Sequence, residues 1–254
     1  MKYAILADIH ANLAALQAVL EDSRQQSCSH FACLGDIVGY GSEPKECVDI
    51  IRQSATPCVR GNFEEYCGGD KTPDAFQTRL AENIRWHREQ LTEDDRRWLR
   101  TLSLVQVVDG FTIVHAVLNS PSRWQYAFDK FAAAASPAKQ TTSVCFFGHT
   151  HVPVAFVRDG MVCGGTYETI NVKRGKMYFV NPGSVGQPRD GDRRASYATY
   201  NLNQNKIELR RADYKRGTGD DGGAAGAVGP SGGFSPKSDG TSVRLPDHEP
   251  TDRP

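Results

Sequence analysis

The sequence predicts an α/β fold in which two mixed β-sheets lie face to face with helices on the outside. Near the N-terminus, short apolar runs alternate with amphipathic segments, which is typical of parallel α/β units. Later in the chain, apolar runs are joined by Asp-Gly turns, as in antiparallel hairpins. A chain of 254 residues can bury one sizeable core. We therefore expect one large domain over residues 1–214.

The first part of the chain is predicted to alternate between strands and helices. Residues 2–8, 30–36 and 57–62 are strand-length apolar runs, the last of them short. Residues 12–26 have apolar side chains at helical spacing, and a second helix is predicted over 44–54, with Pro44 in its first turn.

Helices and then hairpins are predicted for the rest of the domain. Residues from about 73 to 102 read as two helices, the second opened by a capping box of Thr92 and Asp95. Asp109-Gly110 predicts a hairpin, and residues 124–135 predict another helix. The remaining runs are read as mostly antiparallel strands: 143–148, 152–162, 176–185, 195–202 and 206–214, with turns at Asp159-Gly160 and 203–205.

Residues 215–254 are predicted to be a disordered tail, because they are rich in glycine and proline and have no apolar period. Over the whole chain, 30 basic and 30 acidic residues give zero net charge, so neither sequence-specific nor sequence-independent nucleic-acid binding is favoured. No signal-peptide pattern or membrane-length apolar run is apparent. The seven cysteines form no CxxC pair and are read as buried, reduced thiols. These features favour a cytoplasmic protein.

Metal-type ligands follow most of the predicted strands. Such side chains are expected to meet, because ligands collect at the carboxyl ends of strands in α/β sheets. Each residue alone has an ordinary explanation, such as a helix N-cap for an aspartate, but the set as a whole predicts one polar site. His30, His87 and His248 lack such a context and are read as ordinary polar residues. The predicted site residues are Asp8, His10, Asp36, Asn62, His115, His149 and His151.

The order of these blocks resembles that of the calcineurin-like metallophosphoesterases. The blocks are D-x-H, GD-x-x-GYG, GN, a later histidine, and GHTH, in that order along residues 8–151. Residues 181–197, NPGSVGQPRDGDRRASY, resemble the C-terminal hallmark of the small prokaryotic phosphodiesterase and phosphatase branch. The resemblance covers residues 1 to about 212. It implies a four-layer α/β/β/α sandwich.

The resemblance also implies a binuclear metal-dependent hydrolase of phosphate esters. Asp8, His10 and His151 would bind one ion, Asn62, His115 and His149 the other, and Asp36 would bridge them. A metal-bridging hydroxide would attack phosphorus, and the two ions would stabilise the charged transition state. Mixed imidazole and carboxylate ligands suit Mn, our first expectation, or Fe, Zn or Co.

One position departs from the family pattern. Most relatives have a histidine after Gly-Asn, thought to protonate the leaving group, whereas this chain has Phe63. Phenylalanine transfers no proton, so the rate of hydrolysis should be reduced most for esters with poor leaving groups. Whether Glu64 or Glu65 takes over the role of general acid is left open by the sequence. Asn12 and Arg60 are further catalytic candidates, the latter as a phosphate ligand.

The sequence leaves several alternatives open. The main alternative is a catalytically weak or inactive protein of this fold that acts as a binding scaffold; an oxygen-activating iron site is a further one. The substrate could be a small phosphate ester, a nucleotide or a phosphoprotein. A helical insertion over about 66–102, with Trp86 and Trp98, could form a substrate-selecting lid or a dimer contact, although a solvated amphipathic surface is the simpler reading. A homo-oligomer is possible.

Overall fold

The computed structural model of the protein describes residues 1–54, 56–70 and 78–215. A short 3-10 helix covers Pro121–Arg123. The strands are β1 (Lys2–Leu6), β2 (His30–Cys33), β3 (Val105–Val108), β4 (Phe111–Val114), β5 (Val144–Phe146), β6 (Val154–Asp159), β7 (Met161–Gly165), β8 (Thr169–Asn171), β9 (Met177–Asn181), β10 (Ala195–Asn201) and β11 (Lys206–Ala212). The α-helices are α1 (Leu13–Gln25), α2 (Pro44–Gln53), α3 (Asn62–Gly68), α4 (Thr78–Gln90), α5 (Glu93–Thr101) and α6 (Lys130–Ala133).

The strands form two mixed sheets, as the sequence predicts. The first sheet has the order β2-β1-β10-β11-β8, with β1 parallel to β2 and the other neighbours antiparallel. The second has the order β3-β4-β5-β9-β6-β7, in which β4, β5 and β9 run parallel. Strands β1, β2, β4 and β5 therefore end in loops that carry most of the predicted site residues.

Three apolar clusters hold the layers together. Between the sheets, side chains such as Ile5, Phe111 and Phe146 are fully buried. The second cluster joins the outer face of the first sheet to helices α1 and α2 through residues such as Leu16 and Val48. The third covers the outer face of the second sheet, where the short α6 supplies Ala133. The expected sandwich of two sheets flanked by helices is therefore confirmed, with a thin helical layer on the second sheet.

Several local predictions are confirmed. Helix α1 is capped by Asn12, and α2 begins at Pro44. Thr92 and Asp95 form the predicted capping box of α5. Asp109 and Gly110 both have positive φ, 40° and 89°, as the tight turn between β3 and β4 requires. Five of the seven cysteines are buried and all seven are free thiols, although Cys163 is exposed.

Two local predictions are wrong, and one strand was missed. Residues 124–135 are not one helix: only Lys130–Ala133 is helical, because Trp124 takes a left-handed conformation at φ 51° and Asp129 caps the helix after it. Residues 57–62 make isolated bridges rather than a strand, from Cys58 to Cys33 and from Val59 to Ser103. The short edge strand β8 was not predicted.

The helical insertion is amphipathic, with one face solvated as expected and the other packed on the loop of residues 39–41. Asn83 of α4 accepts a hydrogen bond from the backbone N–H of Tyr40 and donates one to its carbonyl. His87, which we read as an ordinary polar residue, is buried and accepts a hydrogen bond from the Gly39 N–H at 3.3 Å. Helix α4 therefore fixes the loop of residues 39–41.

Two further expectations concern the limits of the domain. The part of the predicted insertion at residues 71–77, and the predicted tail from residue 216 onward, lie outside the described residues. Among the residues that are described, no helix is both long and apolar enough to span a bilayer.

Candidate metal centre

Six of the seven predicted ligands form two adjacent clusters. The first cluster is Asp8, His10 and His151, and the second cluster is Asp36, His115 and His149. Within each cluster, the possible ligand atoms all lie within 4.8 Å of one another, and all six residues are buried. The loops after β1, β2, β4 and β5 supply these side chains, so the strand-end arrangement brings distant parts of the chain together.

Each of the four imidazoles has one ring nitrogen held by a backbone carbonyl. In the first cluster, His10 Nδ1 donates to Val38 O at 3.0 Å and His151 Nδ1 to Gln187 O at 2.7 Å. A carbonyl only accepts, so the facing nitrogen carries the proton and the other nitrogen keeps its lone pair. This is the orientation that metal-binding histidines adopt.

In the second cluster, each imidazole is again held by a backbone carbonyl, but the two rings are held through different nitrogens. His115 Nδ1 donates to Leu34 O at 2.7 Å, whereas His149 donates through Nε2, to Trp124 O at 2.9 Å. The inner nitrogens are therefore Nε2 of His115 and Nδ1 of His149. Every imidazole of the centre presents one nitrogen to its interior.

The inner nitrogens face each other in pairs. His10 Nε2 lies 3.0 Å from His151 Nε2, and His115 Nε2 lies 3.2 Å from His149 Nδ1. Two lone pairs at this separation repel each other unless a cation or a proton lies beside them. The geometry of both clusters is therefore suited to binding cations.

The aspartates link the two clusters. Asp36 Oδ2 lies 3.8 Å from His10 Nε2 in the first cluster and 3.4 Å from His115 Nε2 in the second. Asp36 Oδ1 accepts a hydrogen bond from the Phe63 N–H at 2.9 Å, which fixes the carboxylate. Asp8 Oδ1 lies 3.4 Å from His151 Nε2 and 4.0 Å from His115 Nε2. Asp36 therefore lies where one carboxylate could be shared by two cations, one in each cluster.

The backbone at the centre is strained. Five ligand residues have left-handed φ angles between 49° and 69°, a conformation that costs non-glycine residues of order 1–3 kcal/mol each. Such strain persists where the surrounding fold imposes it, and it clusters at functional sites. The five residues are Asp8, His10, Asp36, His149 and His151.

Glycines allow the loops to approach the carboxylates closely. A Cβ atom on Gly148 would lie 2.7 Å from Asp8 Oδ2, and one on Gly61 would overlap the Asp36 carboxylate. Any larger residue at either position would displace a ligand oxygen. These contacts explain why glycine stands beside the predicted ligands.

Asn62, the seventh predicted ligand, has an unpaired oxygen. Its Oδ1 is buried and has no hydrogen-bond partner among the described residues. Buried polar atoms are rarely left unpaired, so this oxygen is available to a ligand. The four imidazoles and two carboxylates are a donor set that fits transition-metal ions; the membership of Asn62 in that set stays a prediction.

The electrostatics of the two clusters differ. Burial lowers the pKa of His10 to about 4 and that of His151 well below its usual value, so both rings are neutral near pH 7. For His115, burial opposes the charged form, but Asp36 and Asp8 outweigh it and raise the pKa to about 10. Burial raises the pKa of Asp8 to about 7. A proton therefore remains on His115 beside Asp36 near neutral pH.

Phe63 and Glu64 are part of the wall and floor of the centre. The Phe63 ring packs edge-on against His10, with ring centroids 5.3 Å apart. The buried Glu64 carboxylate accepts hydrogen bonds from the N–H groups of Asp36 at 2.6 Å, Ile37 at 2.7 Å and Gly61 at 2.8 Å. Glu64 is thus engaged in fixing the ligand loops, while Glu65 is exposed.

The two catalytic helpers predicted from sequence make structural contacts. Asn12 accepts from the Ala15 N–H at 3.0 Å and donates to Gly186 O at 3.1 Å. Arg60 donates to the carbonyl of Arg100, at the end of α5, at 3.4 Å. These contacts do not support a role in substrate binding, and both assignments stay predictions.

Sequence reasoning assigned no role to three residues beside the centre, although two of them, Tyr40 and Arg189, stand inside the quoted motifs. Tyr126 stacks on His149 with ring centroids 4.1 Å apart, and Tyr40 packs edge-on against His10 at 4.8 Å. The backbone N–H of Arg189 donates to His151 O at 3.2 Å. The position of Arg189 inside the 181–197 block was the available signal; Tyr126 was obscured by the helical pattern around it.

Comparison with known proteins identifies the family. The model of the calcineurin-like phosphoesterase superfamily domain matches residues 1–205. The uncharacterized protein MJ0912 of Methanocaldococcus jannaschii is 35% identical over 216 residues, or 83% of this chain and 87% of that protein. Phosphodiesterase YfcE of Escherichia coli is 25% identical over 202 residues, or 76% of this chain and 83% of YfcE.

A solved structure agrees with this result. The crystal structure of a metallophosphoesterase from Sphaerobacter thermophilus has a TM-score of 0.75 and 35% identity, covering 85% of this chain and 89% of that chain. The chain therefore belongs to the calcineurin-like phosphoesterase superfamily and has the metallophosphoesterase fold.

Proposed function

We propose that the protein hydrolyses phosphate esters with two divalent metal ions bound at the two clusters. The observation that carries this proposal is the orientation of the four imidazoles, each tied outward to a carbonyl and facing another imidazole inward. The first ion would be bound by Asp8, His10 and His151 and the second by Asn62, His115 and His149, with Asp36 shared. Mn is the first choice, with Fe, Zn or Co as alternatives.

The protein residues have separable tasks in this proposal. When bound, the ions supply a water of lowered pKa as nucleophile and neutralise charge on the phosphoryl group. The backbone carbonyls keep the imidazoles in the metal-binding tautomer. Glu64 and the Phe63 N–H fix Asp36, which must face both clusters at once. The guanidinium of Arg189, near the mouth of the centre, would pair with a phosphate oxygen.

The walls of the centre favour substrates with good leaving groups. Phe63 occupies the position at which relatives carry a histidine, and the Glu64 carboxylate is engaged by three backbone N–H groups within 2.8 Å. No imidazole therefore stands at that position to protonate a leaving group, and general acid catalysis is typically worth about 10²–10⁴-fold. We expect aryl esters to be cleaved faster than alkyl esters; either monoesters or diesters fit.

The test combines metal content with turnover. Chelator-treated protein reloaded with Mn²⁺ should bind two ions per chain and hydrolyse p-nitrophenyl phosphate or bis-p-nitrophenyl phosphate. The Asp36→Asn variant should lose most of its bound metal and most of its turnover, because the Asp36 carboxylate lies 3.8 Å and 3.4 Å from ligand atoms of the two clusters.

The matched control is Asp159→Asn, an exposed aspartate in the turn between β6 and β7, which should retain both properties. Two bound ions without turnover of any ester would favour the binding-scaffold alternative. A fully active Asp36→Asn variant would show that the bridging assignment is wrong.

A further inference from the structure

An exposed arm of the chain carries a stack of aromatic rings away from the second cluster. We call residues 119–129, between β4 and α6, the aromatic arm. Trp124 O accepts the hydrogen bond from His149 Nε2, which fixes the arm to the metal centre. Tyr126 lies parallel to His149 at 14°, and Phe128 lies parallel to Tyr126 at 12° with centroids 5.2 Å apart. The stack therefore begins on a predicted metal ligand and ends in solvent.

The outer end of this stack is unusually exposed for aromatic side chains. Phe128 is 60% exposed and Tyr126 is 39% exposed. Contiguous exposed apolar groups mark interaction or ligand-binding sites, whereas single exposed rings are ordinary. A flat ring can extend an existing parallel stack without any rearrangement, because stacking needs only a matching face.

A positive charge lies near the same mouth. The Arg189 guanidinium donates a hydrogen bond to Gln187 Oε1 at 2.8 Å, and its positive charge acts on the Tyr40 hydroxyl. Burial lowers the pKa of His151, and the charge of Arg189 lowers it further, so the guanidinium lies within electrostatic reach of the first cluster. Its charge also acts on Tyr126. The mouth thus combines a cation suited to phosphate with rings suited to a flat group.

We propose that the outer face of the Tyr126–Phe128 stack binds the base of a nucleotide whose phosphate lies between the two clusters and Arg189. This inference rests on the proposed phosphoesterase function and selects its substrate class. A nucleotide has both required parts, an anionic phosphate and a planar heteroaromatic ring. A simple sugar phosphate has only the first, and a phosphoserine side chain carries no ring.

The experiment compares two ligands that differ only in the base. Adenosine 5′-monophosphate and ribose 5-phosphate should be titrated calorimetrically into chelator-treated protein, in which no turnover occurs, and into Mn-loaded protein. We expect adenosine 5′-monophosphate to bind about ten-fold more tightly, the effect of one base stacked on an aromatic side chain. Phe128→Ala should reduce the ratio to about two-fold, and Phe128→Trp should restore it.

The control is Phe131→Ala, a neighbouring ring that is 81% exposed but lies outside the stack. It should keep the ten-fold ratio. Equal affinity for the two ligands in the unmodified protein, or an undiminished ratio in Phe128→Ala, would overturn the proposal. The unmodified protein could also bind the two ligands equally and form a dimer that both Phe128→Ala and Phe131→Ala convert to a monomer. That result would overturn the proposal and indicate that the exposed rings serve self-association.

The outcome is separable from that of the proposed function. A base-dependent ratio that Phe128→Ala reduces, found in protein that cleaves no ester, would leave the nucleotide site standing and remove the activity. Turnover of p-nitrophenyl esters with equal affinity for the two ligands would support the phosphoesterase activity and overturn the nucleotide site.

Discussion

The two metal-ligand clusters are alike in composition but differ in what holds them in place. In the first cluster, His10 is tied to the buried Val38 and His151 to the half-buried Gln187. In the second, His115 is tied to Leu34 just after β2, and His149 is tied to Trp124 on the exposed aromatic arm. Each cluster therefore has one imidazole held in the interior and one held by a segment nearer the surface, and in the second cluster that segment carries exposed aromatic rings.

The clusters also differ in protonation. The imidazoles of the first cluster are neutral near pH 7, because burial depresses their pKa. In the second cluster, His115 retains a proton, because nearby carboxylates raise its pKa to about 10 despite its burial. A cation entering the second cluster must displace this proton, since metal ligands bind in their deprotonated form. We therefore expect the first cluster to fill before the second.

The largest expected effect comes from a change beneath both clusters. Glu64→Gln replaces a buried carboxylate that accepts hydrogen bonds from the backbone N–H groups of the Asp36 and Gly61 loops. Hydrogen bonds to charged groups contribute about 1.5–3 kcal/mol each, so loss of one or two should lower the free energy of unfolding by about 3 kcal/mol. Chemical denaturation of the chelator-treated protein measures this change, and metal titration should show both ions binding more weakly.

The matched control for this variant is Glu65→Gln, the exposed neighbour on the same helix. It should leave the unfolding free energy within about 0.5 kcal/mol of that of the parent protein. If Glu64→Gln weakened one ion and spared the other, Glu64 would not be a shared support, and the two clusters would be more independent than their common floor suggests.

A smaller and more selective effect should follow from removing the unpaired amide. Asn62→Leu keeps a similar volume but deletes the buried Oδ1 that has no hydrogen-bond partner among the described residues. If this oxygen binds the second ion, that ion should bind about 100-fold more weakly, while the first ion keeps its affinity. Competition with a metal-sensitive dye resolves the two binding steps.

Asn203→Leu, at an exposed turn before β11, provides the control and should change neither step. Equal weakening of both ions by Asn62→Leu would indicate a general disturbance of α3. Unchanged binding of both would remove Asn62 from the ligand set and leave its buried oxygen without a role.

Much of the fold and the placement of the ligands followed from local sequence signals. Apolar runs that stop at Asp8, Asp36 and His149 predict strand ends, and the glycines beside them predict close backbone approach. Because parallel strands end at one edge of a sheet, these signals bring Asp8 beside Asp36 in the first sheet and place His149 at the corresponding edge of the second, and the stacking of the two sheets joins them. The hairpin at Asp109-Gly110 and the cap at Thr92 are equally local, and both were predicted.

The features that failed depend on distant contacts. Residues 124–135 have helical spacing, but stacking of Tyr126 on His149 and the bond to Trp124 O override that local preference. The carbonyls that set the imidazole tautomers leave no pattern in the sequence, because any residue has a carbonyl. Likewise, the engagement of Glu64 by three loop N–H groups depends on tertiary placement, so its availability as an acid could not be judged beforehand.

The smallest predicted effect, and the most direct test of the difference between the clusters, is the pH dependence of metal binding. Asp8, in the first cluster, has a pKa raised by burial to about 7, whereas that of His115, in the second, is raised to about 10. Above about pH 8 the first cluster has lost most of its protons, so the affinity of its ion should change little. The affinity of the second ion should rise by up to about ten-fold per pH unit between pH 7.5 and 9, because one proton is released on binding. Titrations at three pH values, repeated in buffers of different ionisation enthalpy, count the released protons directly; a rise shared equally by both steps would contradict the assignment of the retained proton to His115.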